Sequence, residues 1–94
     1  MNLKNPVAKT NILSRLRRIE GQVRGLQRLV EEDRYCADIL VQISSVQEAL
    51  RSVGLALMKN HLRHCASAAI RDASPGRAEA MYDELLKLMD LHSR

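Results

Sequence analysis

Three side chains in this sequence can act as soft metal donors: Cys36, His61 and Cys65. His61 and Cys65 are four residues apart, so on a helix they share a face and can hold one ion. Cys36 lies far from both. At about 1.5 Å per residue, the stretch from Cys36 to His61 spans roughly 37 Å if helical, which one chain cannot fold back to close. Two chains running antiparallel can close it, because the start of one helix then meets the end of the other. That arrangement gives two mixed sites per dimer, each taking Cys36 from one copy and His61 and Cys65 from the second. Two thiolates and an imidazole form a soft, low-coordination set that suits Cu(I), or Zn(II) if a fourth ligand joins.

Each signal has a plainer reading beside it. Cys often behaves as a small buried hydrophobe, and Cys36 falls on an apolar seam; H-x3-C alone is a weak motif. His64 lies three residues after His61 and beside Cys65, so spacing does not choose between the two imidazoles, although His61 continues the stripe that contains Leu57. His92, near the C-terminus, is read as uninvolved. Tyr35 and Glu84 could orient the ligating imidazole through its other ring nitrogen, as metal-bound histidines commonly require; otherwise both are ordinary surface residues. With both cysteines on one helix, a disulfide within the chain is excluded by distance. One between chains is chemically allowed in the same geometry.

The elements that must position these residues read as three helices. From about Asn11 to Val30, the apolar residues Ile12, Leu16, Ile19, Val23, Leu26 and Val30 recur in steps of four and three, an amphipathic pattern. Thr10 or Asn11 is the expected N-cap. Gly21 and Gly25 weaken this helix, so packing must compensate or a close backbone approach must need them. Asp33 is the expected N-cap of a second helix running to about Ala68. Its seam, Cys36, Ile39, Ile43, Val46, Leu50, Val53 and Leu57, alternates strictly between steps of three and four, as in a coiled coil. Ser74 as N-cap and Pro75 at the first helical position start a third helix that runs to about Leu91. That helix is apolar round much of its circumference, which points to an oligomer interface. The fold class is all-α: three helices per chain in an antiparallel helical-bundle dimer, as one domain over residues 1–94 with residues 1–10 a flexible N-terminal tail.

Composition agrees. With 94 residues, 46% hydrophobic and only two aromatics, both Tyr, the core must come from Leu, Ile, Val, Met and Ala, and so thin a core favours oligomerisation. The N-terminus MNLKNPVAKTNIL has no apolar h-region, and no apolar run approaches the ~20 residues that span a bilayer, so the chain is expected to be soluble and cytoplasmic. Two cysteines in a small cytosolic chain suit metal or redox chemistry better than a structural disulfide. The net charge of +4 is uneven: residues 1–30 carry seven cations against Glu20 alone, whereas the remainder carries eight against ten acidic groups. Five of the seven are Arg, whose planar fork suits phosphate and base edges, so DNA is a reasonable partner; a solvated helix face is the alternative. Arg15, Arg17 and Arg18, followed by Arg24, Arg28 and Arg51, are the candidate DNA contacts. No nucleophile with an evident base beyond Cys65 and His61, no Gly-rich phosphate loop and no convincing carboxylate cluster supports an enzyme.

The segments RLRRIEGQVRGLQRLVEEDRYCADILVQISSVQEAL and HLRHC closely resemble the copper-sensitive operon repressor family, CsoR/RcnR, over about residues 10–91. The resemblance implies an effector-responsive transcriptional repressor whose DNA-binding form is a dimer of dimers, a homotetramer. Cys36, His61 and Cys65 match the family's Cu(I) ligands, and Tyr35 and Glu84 match the residues that support the ligating His. Nickel and cobalt sensors use an additional N-terminal His, but the first His here is His61. Formaldehyde sensors typically lack a Cys at the position of Cys65, and persulfide sensors lack the His at that of His61. The resemblance therefore implies a repressor that holds operator DNA when metal-free and is released by Cu(I). The alternatives are a sensor of nickel, formaldehyde or persulfide on the same fold, or a copper-storage protein that does not bind DNA.

Overall fold

A computed structural model describes residues 5–93 and is helical almost throughout. Helix α1 spans Pro6–Glu31 and α2 spans Cys36–Asn60; a π-helical segment, His61–Ala66, leads without a break into α3, Ser67–Arg71, and α4 spans Arg77–His92. The second expected helix is therefore the continuous rod α2–π–α3, and the three-helix, all-α reading holds. The molecule is 59 Å along its longest axis.

α1 begins earlier than the periodicity suggests. Asn5 supplies the cap that Thr10 or Asn11 was expected to provide: its Oδ1 accepts from the backbone N–H of Val7 at 3.0 Å and of Ala8 at 3.4 Å, and Pro6 takes the first helical position. Residues 6–10 of the expected tail are thus helical, and residues 1–4 lie outside the described residues. At the other end Asp33 does not cap α2. It adopts a left-handed conformation, φ 54°, and closes α1: its N–H donates to the Val30 carbonyl and that of Arg34 to the Leu29 carbonyl, both at 3.1 Å. This is a Schellman-type ending, in which a left-handed residue lets its own amide and the next one satisfy orphan carbonyls. α2 consequently starts at Cys36, with Tyr35 as a cap residue that makes no side-chain cap bond.

α1 and α2 pack as an antiparallel pair around Ile12, Ile19, Val46 and Val53, with Leu26, Ala49, Ala56 and Leu57 against them. The core is thin. Besides these four, only Ala66 and Ala69 are buried among the described residues, while Leu40, Val41 and Leu50 on α2 and Leu86, Met89 and Leu91 on α4 remain exposed within the single chain. Among the described residues nothing lies within 4 Å of where a Cβ on Gly21 or Gly25 would stand, so close approach to these residues is not their reason.

The turn into α4 also differs from expectation. Ser74 caps nothing with its side chain. Its carbonyl accepts from Arg77 N–H at 3.3 Å across Pro75 and Gly76, with Gly76 at φ 79°, ψ −6°. Pro at the second position and a positive-φ Gly at the third are the marks of a type II turn. Asp72 braces it, accepting from Ser74 N–H at 2.8 Å and lying 3.5 Å from Arg77 Nε. The Ser74 hydrogen bonds, followed by the Arg77 charge, hold the Asp72 carboxyl below its usual range. α4 packs on α3 and turns back along α2.

Candidate metal centre

The π segment HLRHCA carries His61, His64 and Cys65. A π turn holds more residues per revolution than an α turn. Four steps then fall just short of a full circle, keeping His61 and Cys65 on one face, whereas three steps fall well short and swing His64 away. Burial agrees: His61 and Cys65 are half-buried and His64 is exposed. Local widening thus separates the two imidazoles that spacing alone left unresolved. The Ser67 hydroxyl donates to the Arg63 carbonyl, satisfying an acceptor within the widened turn.

Glu84, from α4, reaches the same face. Its Oε2 lies 3.3 Å from His61 Nε2, with the His61 side chain 24% exposed and Glu84 51%. A carboxylate only accepts hydrogen bonds, so Nε2 is the donor in this contact and Nδ1 is the ring nitrogen left to face an electrophile. Of the two residues expected to orient the imidazole, Glu84 is in place.

Tyr35 and Cys36 are not near this cluster. They sit at the opposite end of α2, Tyr35 75% exposed and Cys36 exposed as the first residue of the helix. With α2 uninterrupted to Asn60, roughly 37 Å of helix separates the Cys36 and His61 positions. Among the described residues no group of three His, Cys, Asp or Glu side chains within the chain could hold a metal ion. What the π turn presents is two-thirds of a soft donor set, one imidazole nitrogen and one sulfur. That chemistry fits Cu(I), with a second thiolate completing three-coordination.

The candidate DNA-binding arginines distribute over different faces. Arg17, Arg24 and Arg28 are exposed and recur at steps of seven and four on α1, opposite Ile12 and Ile19. Arg24 lies 3.7 Å from Glu20 across one helical turn. Arg18 is exposed on the flank. Arg15, a candidate DNA contact, is half-buried at the α1–α2 edge, where its Nη2 donates to the Ser52 hydroxyl. Arg51 lines a groove of about 630 Å³ between α2 and the end of α4. Three features lie outside the sequence reading: the π turn, the Arg15–Ser52 contact, and His92 seated over Gly54. Gly54 as the one glycine of α2 was the only available signal for the last of these.

Comparison with known proteins agrees with this arrangement. Residues 8–91 match the model of a family described as metal-sensitive transcriptional repressor. The copper-sensing transcriptional repressor RicR of Mycobacterium tuberculosis is 56% identical over 68 residues, covering 72% of this chain and 71% of RicR. The copper-sensing transcriptional repressor CsoR of Bacillus subtilis is 51% identical over 86 residues, covering 92% of this chain and 82% of that protein. Among solved structures, the copper-sensing repressor CsoR with Cu(I) from Geobacillus thermodenitrificans superposes with a TM-score of 0.87 at 46% identity, covering 100% of this chain and 95% of that one. No described helix is long and apolar enough to cross a membrane. On fold, sequence and length of match together, the chain belongs to the metal-sensitive transcriptional repressor family, whose members are regulators of transcription and not enzymes.

Proposed function

We propose that this chain is a Cu(I)-responsive transcriptional repressor acting in the cytoplasm: metal-free, it holds operator DNA; with Cu(I) bound, it releases it. The observation that carries the reading is the placement of Cys36 at the start of an unbroken α2 and of His61 and Cys65 just past its end. One copy contributes Cys36, and an antiparallel second copy contributes His61 through Nδ1 together with Cys65. When bound, Cu(I) supplies a soft centre that accepts these three donors and so ties two copies together. The exposed Leu40, Val41 and Leu50 of α2 supply apolar surface for the pairing, and two such dimers form the DNA-binding homotetramer.

Within this arrangement Tyr35, beside Cys36, arrives with it at the second copy's imidazole, while Glu84 already holds Nε2. The residues that must move on release are those joining the two copies, because the donors belong to different chains. Arg15, Arg17, Arg18, Arg24, Arg28 and Arg51 contact the operator, mainly through phosphates and DNA shape, since no helix-turn-helix or zinc-finger pattern is present. Affinity then falls steeply with salt. Coupling is reciprocal, so operator DNA weakens Cu(I) binding by the factor by which Cu(I) weakens operator binding.

A gel shift on the DNA upstream of the protein's own gene, with and without Cu(I), Ni(II) and formaldehyde, tests the proposal. Release by Cu(I) alone is expected. Release by Ni(II) or formaldehyde but not Cu(I) reassigns the effector, and Cu(I) binding without any shifted DNA makes the chain a storage protein.

A further inference from the structure

α4 meets the rod of α2 and the π segment at two separated points. At one, Glu84 lies against His61. At the other, the His92 imidazole covers Gly54 so closely that a Cβ built there would stand 2.7 Å from His92 Cε1 and 3.4 Å from Nδ1. Eight residues of α4, about 12 Å, separate Glu84 from His92, and seven residues of the rod, about 10.5 Å, separate Gly54 from His61. The two spans match, so an antiparallel α4 is held at both ends of one short stretch. Among the described residues the buried Nε2 of His92 has no hydrogen-bond partner. Shape accounts for the contact, since only a bare α-carbon at position 54 admits the ring at this distance. Gln47, Glu48, Arg51 and Leu91 line the groove around it.

We propose that Gly54 and His92 are positioning residues: the imidazole resting on the bare α-carbon sets the register of α4 along α2, and thereby holds Glu84 at the His61 ring. The inference deepens the reading of His61 as a metal ligand and rests on it for its regulatory consequence. With the seat blocked, His92 swings out, α4 pivots about its attachment to α3, and Glu84 loses its fixed approach to Nε2. Because Arg51 borders the same groove, the pivot also changes the surroundings of a residue assigned to DNA.

Gly54→Ala, His92→Ala and the double variant test this in the full-length protein. Ala favours helix over Gly, so helicity by circular dichroism is retained or raised in Gly54→Ala. The ¹⁵N shifts of the His61 ring report which nitrogen carries the proton; in the unaltered protein they read as Nε2–H, and in Gly54→Ala as a tautomer mixture. Cu(I) affinity, measured by competition with a chromophoric chelator, falls about fivefold in Gly54→Ala, within the range of couplings between sites. The double variant is no worse than His92→Ala alone, because the added methyl costs nothing once the ring is gone. Unchanged His61 ring shifts in Gly54→Ala, or additive losses in the double variant, overturn the proposal. If the unaltered protein fails to bind Cu(I), the metal reading falls, while the ring shifts still decide the seat.

Discussion

The two ends of the long helical rod are built to different standards. At the Cys36 end, the thiol stands exposed on the first residue of α2, with exposed Tyr35 beside it and no side-chain cap. At the far end, His61 and Cys65 are half-buried in a π turn, and the imidazole is held by Glu84 of α4, which a braced turn joins to the end of the rod. In the proposed site, one end is a prepared receptor and the other a bare donor. A site divided in this way keeps its demanding geometry, the orientation of an imidazole, within one chain. It leaves to the encounter between chains only a sulfur, the ligand that tolerates the widest approach.

Removing the bare donor has the largest expected effect. Cys36→Ala leaves helicity and metal-free operator binding intact but costs Cu(I) affinity more than the roughly 10–100-fold typical of losing a ligand's hydrogen-bond partner. Loss of operator binding in the metal-free variant would make Cys36 structural and erase the contrast. Glu84→Ala attacks the prepared end and lowers Cu(I) affinity by about 10–100-fold in chelator competition; an effect as large as that of Cys36→Ala would mean that the two ends are not ranked as described. His64→Ala, on the same π turn but facing solvent, changes that affinity by less than about twofold, as surface substitutions usually do. A larger loss would show that the widened turn does not separate the imidazoles.

The smallest effect concerns the turn that ties α4 to the prepared end. Asp72 has its carboxyl pKa lowered from 3.8 in the folded chain, so its contribution to stability is present above that value and is lost as pH falls through the depressed one. The difference in Tm between the unaltered chain and Asp72→Asn is therefore present at neutral pH and closes in acid. A difference that widens in acid would reverse the assignment.

Much of this contrast was legible before any coordinates. The strict three–four seam from Cys36 to Leu57 required one long helix, and that helix alone separated Cys36 from the His61–Cys65 pair. What periodicity could not convey were departures from regular helix. Asp33 reads as an N-cap by residue type, yet its tolerance of positive φ serves the end of α1 instead. The π turn leaves no compositional trace, since HLRHC is as compatible with α-helix as with a wider turn; its stabilising partners lie on α3 and α4. Arg15 shows the same limit: its sequence neighbours Arg17 and Arg18 face solvent, and only the crossing of α1 over Ser52 draws it inward.

The unbroken run of α2 makes phase, and not distance, the quantity that natural variation must protect. A single inserted residue lengthens the helix by about 1.5 Å but turns everything beyond it by about 100°, which carries His61 and Cys65 off the face assigned to the proposed second copy. Seven inserted residues restore the face almost completely. In an antiparallel pair both copies lengthen equally, so every thiol again finds an imidazole opposite, provided α1 grows in step. Lengthened relatives of this protein are thus expected to differ by heptads, and an engineered rod two turns longer should bind the same ion between more distant ends.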